Sequence, residues 1–142
     1  MNEQDPNALR TVYFEAWQKA LNHKPLSPME AIIVDILNRH PEYQPLFSTL
    51  ENFQAVLEEK FALDHNPFFH LALHITIAEQ TGADKPKGIR GYYQKLLKKY
   101  GDKTVAEHKM IECLAKVLVD SYQRGEDANE EIYLAAIARL VQ

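Results

Sequence analysis

The stretch Asn66-Pro67-Phe68-Phe69-His70-Leu71-Ala72-Leu73-His74-Ile75-Thr76-Ile77 decides the fold. Phe69, Leu71, Leu73, Ile75 and Ile77 alternate at period two, as in a strand, yet the segment is apolar almost all round, as in a buried helix. Three features settle it as a helix. Asn66-Pro67 reads as an N-cap followed by proline at the first helical position, the segment runs on to an end signal at Gly82, and no second strand exists to pair with it. The choice also sets the chemistry. In a helix His70 and His74, four apart, share one face with Cβ atoms about 5–6 Å apart. In a strand the rings would stand ~13 Å apart, too far for one metal ion.

Working outward, helix punctuation recurs along the chain. Asp5-Pro6 reads as a cap and first turn, and Leu9, Tyr13, Trp17, Ala20 and Leu21 carry a first helix to about Lys24. Ser27-Pro28-Met29-Glu30 is a capping box opening a second helix, which Pro41 stops near Arg39 or His40. Residues 41 to 64 are the least regular, with Leu50, Phe53, Val56 and Leu57 permitting a third, shorter helix. After the fourth helix and a basic turn, Ile89 to Tyr100 forms a fifth, closed by Gly101. Thr104-Val105-Ala106-Glu107 reads as the capping box of a long sixth helix ending at Gly125, and Asp127 with Glu130 caps a last one. The expectation is an all-α fold, a single compact bundle of about six to seven helices over residues 1–142.

Composition narrows the function classes. A chain of 142 residues with 46% hydrophobic and 25% charged residues is an ordinary globular domain. One cysteine, Cys113, excludes an internal disulfide and a cysteine zinc cluster, and five glycines leave little room for phosphate loops. Residues 1–6 have no basic start followed by an apolar run, and Phe68 to Ala78 is far shorter than the ~20 residues of a membrane span. A cytoplasmic protein without a membrane partner is expected.

Two regions carry chemistry. His108 and Glu112 repeat on the sixth helix the four-residue spacing of His70 and His74 on the fourth. Three imidazoles and a carboxylate directed to one core can bind a divalent metal, Zn, Fe or Mn. His70, His74, His108 and Glu112 are therefore the candidate ligands. The competing reading is structural: Glu112 satisfies His70 or His74 by hydrogen bonding with no metal present. The sequence His70-Leu71-Ala72-Leu73-His74 lacks the glutamate after the first histidine that serves zinc proteases as general base, so no catalytic residue is assigned. His40, His65 and Tyr43 are further potential contributors, and His40 also fits an interaction with the closing carbonyls of its helix.

The second region is residues 85–103, where seven basic residues face one acid. That is a net +6, leaving −10 for the rest of a chain whose total is −4. Such asymmetry suits an acidic protein partner. This gives the alternative function, a noncatalytic interaction module in which the histidines are structural. Nucleic acid is not the expected partner, because Tyr92, Tyr93 and Tyr100 share a face with Ile89, Leu96 and Leu97 and so belong to the core rather than to a base-stacking platform. Arg90 suits a helix end or a pairing with Asp84. Cys113 points about 140° away from His108 and reads as a structural thiol.

The segments His40-Pro41-Glu42-Tyr43, Asn66 through His74, and Glu107-His108 through Glu112-Cys113-Leu114, with the Gly88-Ile89-Arg90 turn between, resemble a bacterial family known as domain of unknown function 1841. The resemblance covers nearly the whole chain. It implies a small cytoplasmic bacterial protein and brings no activity or metal with it.

Overall fold

The computed structural model describes residues 6–142. Among them are eight α-helices and no strand. The helices are α1 (Pro6–Leu21), α2 (Pro28–Asn38), α3 (Gln44–Ser48), α4 (Leu50–Glu58), α5 (Pro67–Ala83), α6 (Ile89–Tyr100), α7 (Lys103–Arg124) and α8 (Glu130–Leu140), with 3-10 turns at Pro41–Tyr43 and Leu63–His65. The count exceeds the expected six to seven because residues 41–64 hold two short helices. Thr49, in extended conformation, ends α3 and caps α4 by accepting from the Asn52 N–H at 3.1 Å. No helix among the described residues is long and apolar enough to cross a membrane.

The chain groups into two compact units, residues up to Ala72 and residues from Leu73, with the division inside α5. In the first unit α1 packs on α2 and α3, and α3 on α4. Its core includes Tyr13, Trp17, Ile33, Ile36, Leu37, Phe47, Phe53 and Phe68. Each large apolar side chain buried this way contributes about 1.5–3 kcal/mol. Phe68, near the start of α5, meets the Phe47 ring edge-on at 5.9 Å and takes the Arg10 guanidinium over its face at 4.4 Å. In the second unit α6, α7 and α8 pack on one another around Ile89, Leu96, Met110, Leu114 and Ile137.

Several boundaries differ from the sequence reading. The Asp5 cap falls outside the described residues. The first helix ends at Leu21 rather than about Lys24, because His23 takes a left-handed conformation (φ 54°) and Lys24 N–H turns back to the Lys19 carbonyl at 2.8 Å. The long helix α7 is capped by Asp102, whose carboxylate accepts from Val105 N–H at 2.9 Å, and Thr104 is already inside it. Asn129, rather than Asp127, caps α8. Tyr100 is 36% exposed and Tyr92 and Tyr93 are only partly buried, so the core face of α6 is narrower than its sequence suggests and centres on Ile89 and Leu96.

The capping box of α2 forms as read. The Ser27 hydroxyl accepts from Glu30 N–H at 3.2 Å, and the Glu30 carboxylate accepts from Ser27 N–H at 2.9 Å and from Lys19 Nζ at 2.7 Å. The Lys19 ammonium first, then the Ser27 N–H, holds the Glu30 carboxyl below its usual range. Ser27→Ala should cost about 0.5–2 kcal/mol of stability, read as a lower urea midpoint. The Glu30 contribution is present above the carboxyl's unfolded pKa and is lost as pH falls through its lowered folded value. The stability gap between the wild type and Glu30→Gln should therefore close in acid, measured by urea unfolding at pH 7 and pH 3.

Candidate metal centre

Helix α5 is fixed at both ends by side chains. Asn66 Oδ1 accepts from the Phe68 and Phe69 N–H groups at 3.0 and 3.3 Å, which satisfies donors that an uncapped first turn would leave open. At the other end Arg90 donates from Nε to the Thr81 carbonyl at 2.8 Å and from Nη2 to the Gly82 carbonyl at 2.6 Å. Arg90 thus takes up the helix-end role that its position suggested, while Asp84 accepts from its backbone N–H at 3.0 Å. Between these ends the helix sets His70 and His74 one turn apart on one face.

In the first unit His70 meets His40, which follows α2. Their Nε2 atoms are 3.2 Å apart, and the rings stand edge to face with centroids 5.1 Å apart. Tyr43 stacks on the His40 ring at 5.4 Å and meets the His70 ring edge-on at 5.9 Å. Burial, with a smaller contribution from Glu42, raises the Tyr43 phenol. His40 is 2% exposed and its Nδ1 lies 2.7 Å from the Ile36 carbonyl oxygen. A carbonyl only accepts, so Nδ1 carries a proton and donates, and Nε2 is the nitrogen directed at His70.

The second unit repeats this arrangement one turn along α5. His74 is fully buried and its Nδ1 lies 3.0 Å from Oε1 of Glu107, itself 3% exposed. The carboxylate accepts, so Nδ1–H donates here too, and the His74 Nε2 lone pair faces Nε2 of His108 at 3.1 Å. Each unit thus holds one imidazole pair, His40 with His70 in the first and His74 with His108 in the second.

Of the four residues singled out from the sequence, His70, His74 and His108 each take part in one of these imidazole pairs and Glu112 in neither. Glu112 is exposed. The buried residues of α7, Ala106, Glu107, Met110, Ile111, Leu114 and Val117, form its inward stripe. At about 100° per residue His108 lies past the edge of that stripe, roughly 140° from its centre, and Glu112 opposite, roughly 180° away. The inward carboxylate is Glu107, which the sequence reading spent on a helix cap. The signal was present: Glu107 falls within the apolar phase of Ala106, Met110 and Leu114, where a carboxylate requires a buried partner. His40 was noted for its helix-end contact, which it makes, and it pairs with His70 as well. His65 is exposed and pairs with Asp64 at 2.9 Å.

The basic segment is partly committed to structure. Besides Arg90, Lys99 donates from Nζ to the carbonyls of Leu140 and Gln142 at 2.8 and 3.1 Å. Cys113 is half-buried, and burial, reinforced by Glu112 and opposed by Arg139, raises its thiol, which therefore stays protonated at neutral pH. Buried Tyr133 donates to Gln80 Oε1 at 2.7 Å, its phenol raised chiefly by desolvation.

A family model described as a domain of unknown function (DUF1841) matches residues 5–139. The chain belongs to that family. No curated protein and no solved structure matches this DUF1841 member.

The oxygen acceptors fix a tautomer that can be observed directly. Long-range proton–nitrogen NMR on the metal-free protein at pH 8 should show His40 and His74 as Nδ1–H imidazoles with bare Nε2. A bare Nδ1 on either ring would contradict the assignment.

Proposed function

We propose that this protein binds a transition-metal ion through the paired imidazoles that α5 carries, His70 with His40 in the first unit and His74 with His108 in the second. One observation carries the reading: two buried histidines each have Nδ1 anchored to an oxygen acceptor while Nε2 points at a second imidazole's Nε2. Metal-bound histidines use this pattern, with the outer N–H on a carbonyl or carboxylate and the other nitrogen on the ion. The 3.1–3.2 Å separations also suit two ligands of one ion. With metal–nitrogen bonds of about 2.1 Å, neighbouring ligands lie about 3.0 Å apart in an octahedron and about 3.4 Å apart in a tetrahedron.

The donor chemistry narrows the ion. Imidazole ligands suit Zn, Fe, Cu or Ni, whereas Mn, Ca and Mg favour oxygen ligands. Of the ions expected from the sequence, Zn and Fe therefore fit best, and His40 is proposed as a ligand where the exposed Glu112 is not. The second reading keeps the histidines structural. Each Nε2 pair is then an N–H···N hydrogen bond, donated by His70 or His108 to the bare nitrogen opposite, a geometry the same distances allow. The exposed lysines 95 and 98 would in that case remain the surface for an acidic partner.

Metal analysis separates the two. Purified protein, stripped with chelator and reloaded with Zn(II) or anaerobic Fe(II), should take up metal in a fixed ratio to the chain. Its thermal midpoint should rise with free metal, by about 2.7 kcal/mol of stabilisation at one hundred times Kd. His70→Ala/His74→Ala should lose the uptake. Failure of the wild-type chain to bind any of these ions stoichiometrically would leave the hydrogen-bonded reading.

A further inference from the structure

We infer that the negative charge of Glu107, and not only its hydrogen bond, sets how tightly the second unit's imidazole pair holds a metal ion. This rests on the metal reading above and extends it to the residue that governs affinity at that pair. The first ground is geometry within the unit. Consecutive residues of α7 stand at the two ring nitrogens of His74. Oε1 of Glu107 is 3.0 Å from Nδ1, and Nε2 of His108 is 3.1 Å from Nε2. The His74 and His108 rings are tilted by 55° with centroids 5.0 Å apart, so they meet through their nitrogens rather than by stacking. Glu107 thus acts on Nε2 through the His74 ring, as a positioning residue rather than a ligand.

The second ground is burial. His74 is fully buried and Glu107 nearly so, and little water screens the carboxylate from the ring it touches. An anion against Nδ1–H draws that proton outward and returns electron density to the ring, which makes Nε2 the stronger donor toward a cation. In the first unit a backbone carbonyl holds Nδ1 of His40. It orients the ring but brings no net charge, and no side-chain replacement can remove it. The carboxylate is the anchor whose charge a single substitution can change.

The test compares the wild type with two variants. Glu107→Gln keeps an oxygen acceptor for Nδ1–H and removes the charge. Glu112→Gln removes the same charge from an exposed position on the same helix. Zn(II) affinity is read by competition with a chromophoric chelator, the ligand field by the visible absorption of Co(II)-loaded protein, and folding by the melting of metal-free protein. Glu107→Gln should bind Zn(II) about 10–100-fold more weakly. Its Co(II) bands should be displaced at saturation and its metal-free midpoint retained, while Glu112→Gln binds like the wild type. Wild-type affinity in Glu107→Gln overturns the inference and leaves the metal reading standing. So does an equal loss in Glu112→Gln, or a loss that comes with a lower metal-free midpoint and unmoved Co(II) bands. Zinc-loaded wild type gives a measurement independent of how the variant folds. Long-range proton–nitrogen NMR should show His74 with Nδ1 still protonated and Nε2 on the metal, and a metal-bound Nδ1 overturns the inference. Failure of the wild type to bind Zn(II) or Co(II) in a fixed ratio overturns it together with the metal reading.

Discussion

The pairing of Glu107 with His74 is the constraint around which the second unit is arranged. A carboxylate placed on the inward stripe of α7 is tolerated only with a strong donor against it, and His74 supplies one at 3.0 Å. The contact is consistent with the rotational phase of both helices. α7 turns Glu107, Met110 and Leu114 inward, while α5 turns His74 away from solvent. It also orients the imidazole, since a ring whose Nδ1 is held has one direction left for Nε2. The first unit reaches the same result with a backbone carbonyl, Ile36, in place of the carboxylate. Two different acceptors thus hold the same ring nitrogen in the two units.

Positive charge is used in a comparable way. The +6 segment looks from composition like a recognition surface, yet Arg90 closes α5 and Lys99 reaches the carbonyls beyond α8. Helix C-termini present unsatisfied carbonyls and the negative end of the macrodipole, so a guanidinium or ammonium there answers both at once. Charge counted along a sequence overstates what remains available to a partner.

The sequence disclosed the fold where local chemistry is self-contained. Asn66-Pro67, the Ser27–Glu30 box and the left-handed glycines at 101 and 125 act within a turn of the helix they delimit, and α6 runs from Ile89 to Tyr100 as its spacing indicates. Residues 41–64 were harder, because the break at Thr49 is a backbone choice that its neighbours do not announce. The site was legible to the extent that it depends on helical phase, which gives His70, His74 and His108. It was obscured where one residue type serves two purposes. Glu107 follows Thr104 at capping-box spacing, but Asp102 already supplies the cap, and once that is known the glutamate has a different task. His40 depends on tertiary folding, since nothing local brings residue 40 to residue 70.

The clamps on α5 have one further consequence. With Asn66 at one end and Arg90 at the other, the turn between His70 and His74 is set by folding rather than by any ion that arrives later. Preassembled nitrogen donors bind first-row metals in an order dictated by the ions, with copper ahead of nickel and zinc and iron behind them. Such a helix exercises little choice of its own. If the protein binds metal as proposed, the ion would record which metals the surroundings make available, and the same polypeptide produced under iron-rich and zinc-rich conditions would carry different cargo.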